Sequence, residues 1–188
     1  CGMVMTPEPL TLAIGEAKQL APDSKVILMS PQGKKFDQRA AKEIVSLDGV
    51  IFVCGRYEGI DERVIVSCVD LELSIGDYVL TGGELAAMVV MDAVIRLIPG
   101  VLGGETSTSN ESFEQDRIEH AHYTRPSFFK EMAVPDVLLS GNHKEIDKWR
   151  LESALKRTLI KRPDLFENRG FSDEEIKVVK KWILNEKR

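Results

Sequence analysis

Two short apolar runs, KVILM at 25–29 and VIFVC at 50–54, are each bounded by turn-forming residues and predict buried strands. Between them Ala40, Ala41, Ile44, Val45 and Leu47 recur at helical spacing within 37–47. Strand–helix–strand is therefore the natural parse, and it implies a parallel pair. Residues 64–73 read as a short helix followed by a strand, and Val79-Leu80 as a strand end before Gly82-Gly83. From 84 to 98 the apolar residues run nearly all round a helix, interrupted by Asp92 and Arg96; such a helix is buried or lies in an interface. Pro99-Gly100 ends it. The polar, aperiodic stretch 103–110 then reads as a mobile linker. Beyond it, the turn SGNH at 140–143 delivers a helix over about 144–157. Ser172-Asp173-Glu174-Glu175 opens a last helix, with Ser172 capping and Glu175 reaching back.

Length and composition add bounds rather than a class of chemistry. At 188 residues, with 43% hydrophobic and 29% charged positions, the chain suits one globular domain or one with a small appendage, and no stretch is long and apolar enough to span a bilayer. Cys1, Cys54 and Cys68 form an odd set without CxxC spacing, which points to neither a disulfide framework nor a zinc site and fits a reducing cytoplasm. The net charge of −5 is unevenly placed: residues 1–110 carry 9 Lys+Arg against 15 Asp+Glu, a net of −6, and residues 111–188 carry 16 against 15, a net of +1. Within the second part, Lys148, Arg150, Lys156, Arg157, Lys161 and Arg162 are opposed only by Glu152 over 148–162. That run is either a solvated helix face or a surface that meets phosphates.

Candidate chemistry collects in three glycine-punctuated loops: SPQG at 30–33, CGRYEGIDERV at 54–64 and SIGDYVLTGGE at 74–84. Open α/β sheets gather such loops at the carboxyl ends of their strands, where bare backbone can approach a ligand and read the edge of an adenine. For each glycine alone, a plain tight turn is the better account. None of the loops is a dinucleotide fingerprint or a phosphate loop with its lysine, which weighs against an enzyme for another adenine nucleotide.

These loops, followed in order by IPGVLG, HYTRP and LLSGNH, closely resemble the bacterial tRNA (guanine-37 N1)-methyltransferases of the SPOUT class, over nearly the whole chain. The resemblance implies an α/β domain with a parallel sheet tied in a deep trefoil knot (1–102), a flexible linker (103–116) and a small all-α domain that grips tRNA (117–188). It implies a cytoplasmic homodimer with the active site at the subunit interface and S-adenosylmethionine as methyl donor. The donor site would take Leu28, Ser30, Pro31, Gln32 and Gly33 from the first loop. Gly55, Tyr57, Glu58 and Gly59 would come from the second, and Ile75, Gly76, Tyr78, Leu80, Gly82 and Gly83 from the third. The family pattern also begins well before Cys1-Gly2-Met3, with a first strand and a basic loop expected upstream. If the polypeptide began at Cys1, its sheet would lack a strand and activity would be in doubt.

Methylating guanine N1 requires removal of the N1 proton, which pushes negative charge onto O6, so a base and a cation are both needed. By resemblance the base is Glu111, where the family has aspartate; the carboxylate is kept with one more methylene of reach. Asn110, the alternative if the alignment slips by one, cannot act as a base. The O6 partner would be Arg96, whose bland alternative is an arginine snorkelling from a helix end. Glu58 could assist through a magnesium ion or by steering the donor, and no protein metal site is expected. Ala86 replaces a common family proline. His120, His122 and His143 suit structural or RNA-contact roles, and Trp149 suits the core of the small domain or a stacked base. The rival from another class is a non-catalytic RNA-binding scaffold that retains the cradle.

Overall fold

The computed structural model describes residues 3–103, 111–167 and 169–186. The chain divides into two compact units, Cys1–Glu105 and Thr106–Arg188. Half of the linker expected at 103–116, residues 104–110 with Asn110 among them, lies outside the described residues.

The first unit is a three-layer α/β arrangement around a parallel sheet with strand order β2-β1-β3. The strands are β1 (Lys25–Lys35), β2 (Val50–Cys54) and β3 (Leu71–Ser74). Alternation along β1 builds two cores, because successive side chains leave opposite faces of a strand. Ile27 and Met29 pack with Leu73, with Ile44 of α2 (Gln38–Val45) and with Ala86, Ala87 and Val90 of α4 (Glu84–Ile95). Val26 and Leu28 pack on the other face with Val53, with Ile14 of α1 (Pro7–Leu20) and with Val64 of α3 (Glu62–Cys68). Burial on both faces explains why the strands read as unbroken apolar runs. Asp37 and Asp61 cap α2 and α3 with side-chain carboxylates that accept from Ala40 N–H and Arg63 N–H.

Three features depart from the hydrophobic pattern. First, β1 does not stop at Met29: Met29 and Lys34 both pair with Leu73, so Ser30–Gly33 bulges out between two registers of one strand. Second, Val79-Leu80 forms no strand; both residues are exposed in a chain of bends between β3 and α4. The two-residue apolar pair has no core to face once the turn at Gly76, φ 151°, has redirected the backbone. Third, α1 has weak amphipathic patterning because Leu12 and Leu20 are exposed and only Ile14 is buried. Its overlooked signal is the Thr6-Pro7 start, with Thr6 at the N-cap and proline in the first turn.

In the second unit, α5 (Asp136–Leu139), α6 (His143–Lys161), α7 (Asp164–Glu167) and α8 (Asp173–Glu186) are preceded by a small antiparallel ribbon. Strands β4 (Phe128–Phe129) and β5 (Met132–Ala133) form it, so the unit is not all-α. Lys130 and Glu131, with φ of 46° and 63°, make the two-residue turn, and no Asn-Gly advertised it in the sequence. Helix α8 starts with the expected box: Ser172 Oγ accepts from Glu175 N–H, and Glu175 Oε2 accepts from Ser172 N–H at 2.9 Å. Two further bonds of 2.8 Å from Arg169 fix the buried Glu175 carboxylate. Those Arg169 bonds, with help from the Ser172 amide, hold its pKa down to about 2. Among the described residues no helix is long and apolar enough to cross a membrane.

Candidate functional site

Because the three strands run parallel, the segments that leave them at Ser30, Gly55 and Ile75 emerge at one edge of the sheet. There they enclose a cavity of about 330 Å³. Its wall includes Leu28, Ser30, Pro31 and Gln32 from the first segment, Gly55, Tyr57, Glu58 and Gly59 from the second, and Ile75, Gly76, Tyr78, Leu80, Gly82 and Gly83 from the third. The fold thus brings together every residue expected in the cradle except Gly33. That glycine serves β3 instead: a Cβ there would stand 2.5 Å from the backbone of Glu72 and Leu73.

Backbone bonding holds the segments to one another. Gly83 N–H donates to Gly55 C=O at 3.0 Å, and Arg56 pairs with Gly82 in an antiparallel bridge. Across the same seam Arg56 Nε donates to Glu84 Oε1 at 2.7 Å, which lowers the Glu84 pKa and raises that of Arg56. From outside, Met5 N–H donates to Gly59 C=O, while Met5 C=O accepts from Asp61 N–H and Met3 C=O from Glu58 N–H, so residues 3–5 brace the second segment. Within the third, the buried Ser74 hydroxyl donates to Gly76 C=O and accepts from Gly76 N–H, fixing the turn. Tyr57 carries a φ of 59°, a left-handed conformation that a tyrosine adopts only under constraint, and its side chain is exposed. Burial, with Glu84 adding to it, pushes the Cys54 thiol up at the foot of the second segment.

The cavity wall mixes apolar side chains, carbonyls and amides with the carboxylates of Glu58 and Glu62. That set can sandwich a flat heterocycle, read its polar edge with backbone groups and face a positive centre. Arg56 and Glu62 are among the wall residues that glycine counting passed over. The signal for Arg56 was its place between Gly55 and Tyr57, with an acid, Glu84, directly after Gly82-Gly83.

The two expected catalytic residues belong to different units. Arg96 is the C-cap of α4, half-buried. The N-terminal end of that helix meets the cavity through Gly83 and Ala86, so Arg96 lies about 15 Å along the axis from Ala86 at 1.5 Å per residue. Glu111, half-buried, lines a polar cavity of about 320 Å³ in the second unit, together with Arg117, Glu119, His120, Asp147 and Arg150. The strap that carries it is pinned to α6. Thr158 Oγ1 accepts from Ile118 N–H at 3.0 Å and Ser153 Oγ from Ala121 N–H at 3.1 Å, while Arg157 Nε donates to Glu119 C=O; within the strap itself Ser112 Oγ accepts from Glu119 N–H. His143 is exposed at the first residue of α6. Trp149 is half-buried, with the rings of His120 and Tyr123 at 6.4 and 6.1 Å.

A family model described as tRNA (Guanine-1)-methyltransferase TrmD matches residues 1–168. The tRNA (guanine-N(1)-)-methyltransferase of Desulfatibacillum aliphaticivorans is 53% identical over 181 residues, covering 96% of this chain and 69% of the relative. That of Bacillus cereus strain G9842 is 51% identical over 188 residues, covering the whole chain and 75% of the relative.

Proposed function

The chain belongs to the tRNA (guanine-1)-methyltransferase TrmD family and methylates N1 of guanine in tRNA; we propose that it takes the methyl group from S-adenosylmethionine and delivers it to guanosine 37, 3′ of the anticodon. The observation that carries the donor assignment is the meeting of three motif segments on one cavity at the carboxyl edge of a parallel sheet. In this reading the first unit is a knotted SPOUT domain and the second holds the RNA. The basic run on α6, from Lys148 to Lys161, supports the second assignment.

The residues fit the donor. Leu28, Ile75 and Leu80 offer apolar walls, glycine backbone offers donors and acceptors for adenine, and Glu58 and Glu62 balance a sulfonium charge. When bound, S-adenosylmethionine supplies an electrophilic methyl group. Glu111 would take the N1 proton as the donor's methyl–sulfur bond is exchanged for the N1–carbon bond, which would leave S-adenosylhomocysteine. The Arg96 guanidinium stabilises the charge that develops on O6, where a preorganised cation is worth most. Placing Arg96 one helix length from its own cradle favours a site shared by two subunits. The large apolar side chains Leu85, Met88, Val89 and Ile95, all exposed on α4, supply a surface for such a homodimer.

Glu111→Gln tests the assignment. Methyl incorporation into a tRNA transcript should fall by about 10²-fold or more, the usual contribution of a general base, while S-adenosylhomocysteine still binds in calorimetry. Turnover close to wild type would remove Glu111 from the role. A wild-type chain that binds no S-adenosylhomocysteine would favour the scaffold instead.

A further inference from the structure

Helices α6 and α8 of the second unit enclose a cavity of about 360 Å³ that belongs to neither the donor cradle nor the Glu111 pocket. Its wall combines two indoles, Trp149 and Trp182, with two ammonium groups, Lys156 and Lys181, over a floor that includes the fully buried Leu155. Lys156 Nζ lies 5.1 Å from the centroid of the Trp182 ring, so one cation already sits on an indole face. Trp149 is held from outside the cavity by His120, edge-on, and by Tyr123.

We infer that this cavity receives one unstacked nucleotide of the RNA, its base against the indole faces and its phosphate at Lys156 and Lys181. The inference rests on the RNA-modifying reading above and adds a site to it. Four features of the cavity point to a nucleotide. Its volume is at the small end of ligand sites, about 300–1,000 Å³, and suits a single base with its sugar rather than a peptide segment or a helix. Indole rings stack on any base, since every base presents a π-face. Two ammonium groups beside them neutralise phosphate, which a purely apolar ligand would leave uncompensated. Glu152 adds the acceptor that an exocyclic amine or ring N–H needs. Lysine is a flexible point charge, and its hold on an indole face is weaker than base stacking. Lys156 can therefore leave the Trp182 ring for an arriving phosphate and free that face for the base.

The test uses the full chain, a tRNA transcript bearing guanosine 37, and adenosine monophosphate as the free-nucleotide probe. Tryptophan emission should be quenched on adding the transcript. Trp182→Leu should lose most of the quench and Trp182→Phe, which keeps a stacking face, should retain tRNA affinity. The double variant Lys156→Gln/Lys181→Gln, which removes both charges and keeps both indoles, should raise the KM for tRNA about tenfold with kcat within about twofold. An unchanged KM in the double variant and in Trp182→Leu overturns the inference. So does quenching by the mononucleotide but not by the transcript, which assigns the cavity to a free nucleotide. Quenching that follows protein concentration without RNA also overturns it, since a second copy then fills the cavity. Failure of methyl transfer in the wild-type chain would count against the proposed reaction, whereas the fluorescence readout judges the cavity without any turnover.

Discussion

Gly33→Ala isolates the close approach on which the first wall of the cradle depends. The added Cβ would meet Glu72 C and Leu73 N at 2.5 Å and Glu72 O at 2.7 Å, against 3.4–4 Å for an ordinary contact. About 1 Å of separation is therefore required, and the obstacle is β3 backbone rather than a side chain that can swing away. Moving β3 disturbs the Lys34–Leu73 and Lys35–Ser74 pairings and the 2.8 Å bond from Phe36 N–H to Ser74 C=O. Overpacking of this kind costs about 1–3 kcal/mol, and each weakened ladder bond adds about 1 kcal/mol. A total of about 2–4 kcal/mol would lower the melting temperature of a unit this size by roughly 10–25 °C. Gly33 does not line the cavity, so any loss of S-adenosylhomocysteine affinity must come from displacement of Ser30–Gln32 against Ile75–Leu80. Gly15→Ala, in α1 with nothing within 4 Å of the new methyl, is the control and should raise stability by up to about 1 kcal/mol. Calorimetric melting and isothermal titration read both quantities. A Gly33→Ala protein that melts within about 2 °C of wild type and binds donor product unchanged would refute the reasoning.

The Arg56→Gln variant should weaken S-adenosylhomocysteine binding severalfold with little change in melting temperature, because an exposed ion pair steers the seam between two segments more than it stabilises the fold; an unchanged dissociation constant would count against a positioning role. Thr158→Val conserves shape but leaves Ile118 N–H without its acceptor at a fully buried site, so urea titration should show a loss of about 1–3 kcal/mol. A loss under about 0.5 kcal/mol would mean that water or relaxation replaces the bond. Glu175 has a folded pKa of about 2, below its unfolded value, so its contribution is present above about pH 4.5 and is lost as pH falls toward 2. The second unit should therefore lose roughly 1–3 kcal/mol across that window, and Glu175→Gln should flatten the dependence; a variant with the same acid profile would refute the linkage.

What the sequence exposed, and what it hid, follows from the range of the forces involved. Strands β1 and β2 announced themselves because residues buried on both faces leave an unbroken apolar run. Local capping chemistry at Ser172 was equally readable, since a cap and its partner amide are three residues apart. Gly33 was noticed for its place in a loop, but the constraint that the fold puts on it is the backbone of Glu72 and Leu73, some 40 residues on, which no local pattern reports. The strap at 112–121 carried no signal for the same reason. Its polar anchors Ser153, Arg157 and Thr158 lie 32 to 40 residues away and look like ordinary surface positions of a basic helix. The cradle itself was legible because its requirements are met within each segment, by glycine and by short turns, and only the meeting of the segments needed the sheet.

Helix α4 carries the remaining step. An all-round apolar helix was expected to be buried or to lie in an interface, and its side chains divide by size between the sheet and solvent. Ala86, Ala87 and Val90 face the sheet, where small side chains let the helix approach closely, while Leu85, Met88, Val89 and Ile95 remain exposed. A helix optimised only for its own unit would place the larger side chains inward, where each buries more area. The inverted arrangement suits a second copy on the outer face. With the cradle at one end and Arg96 at the other, a two-fold axis across α4 that pairs the helices antiparallel would bring each Arg96 toward the partner's cradle, a distance that its own side chain cannot span. In the proposed mechanism, then, α4 has two linked tasks. It closes the floor of one donor site and delivers the cation that stabilises O6 to the other.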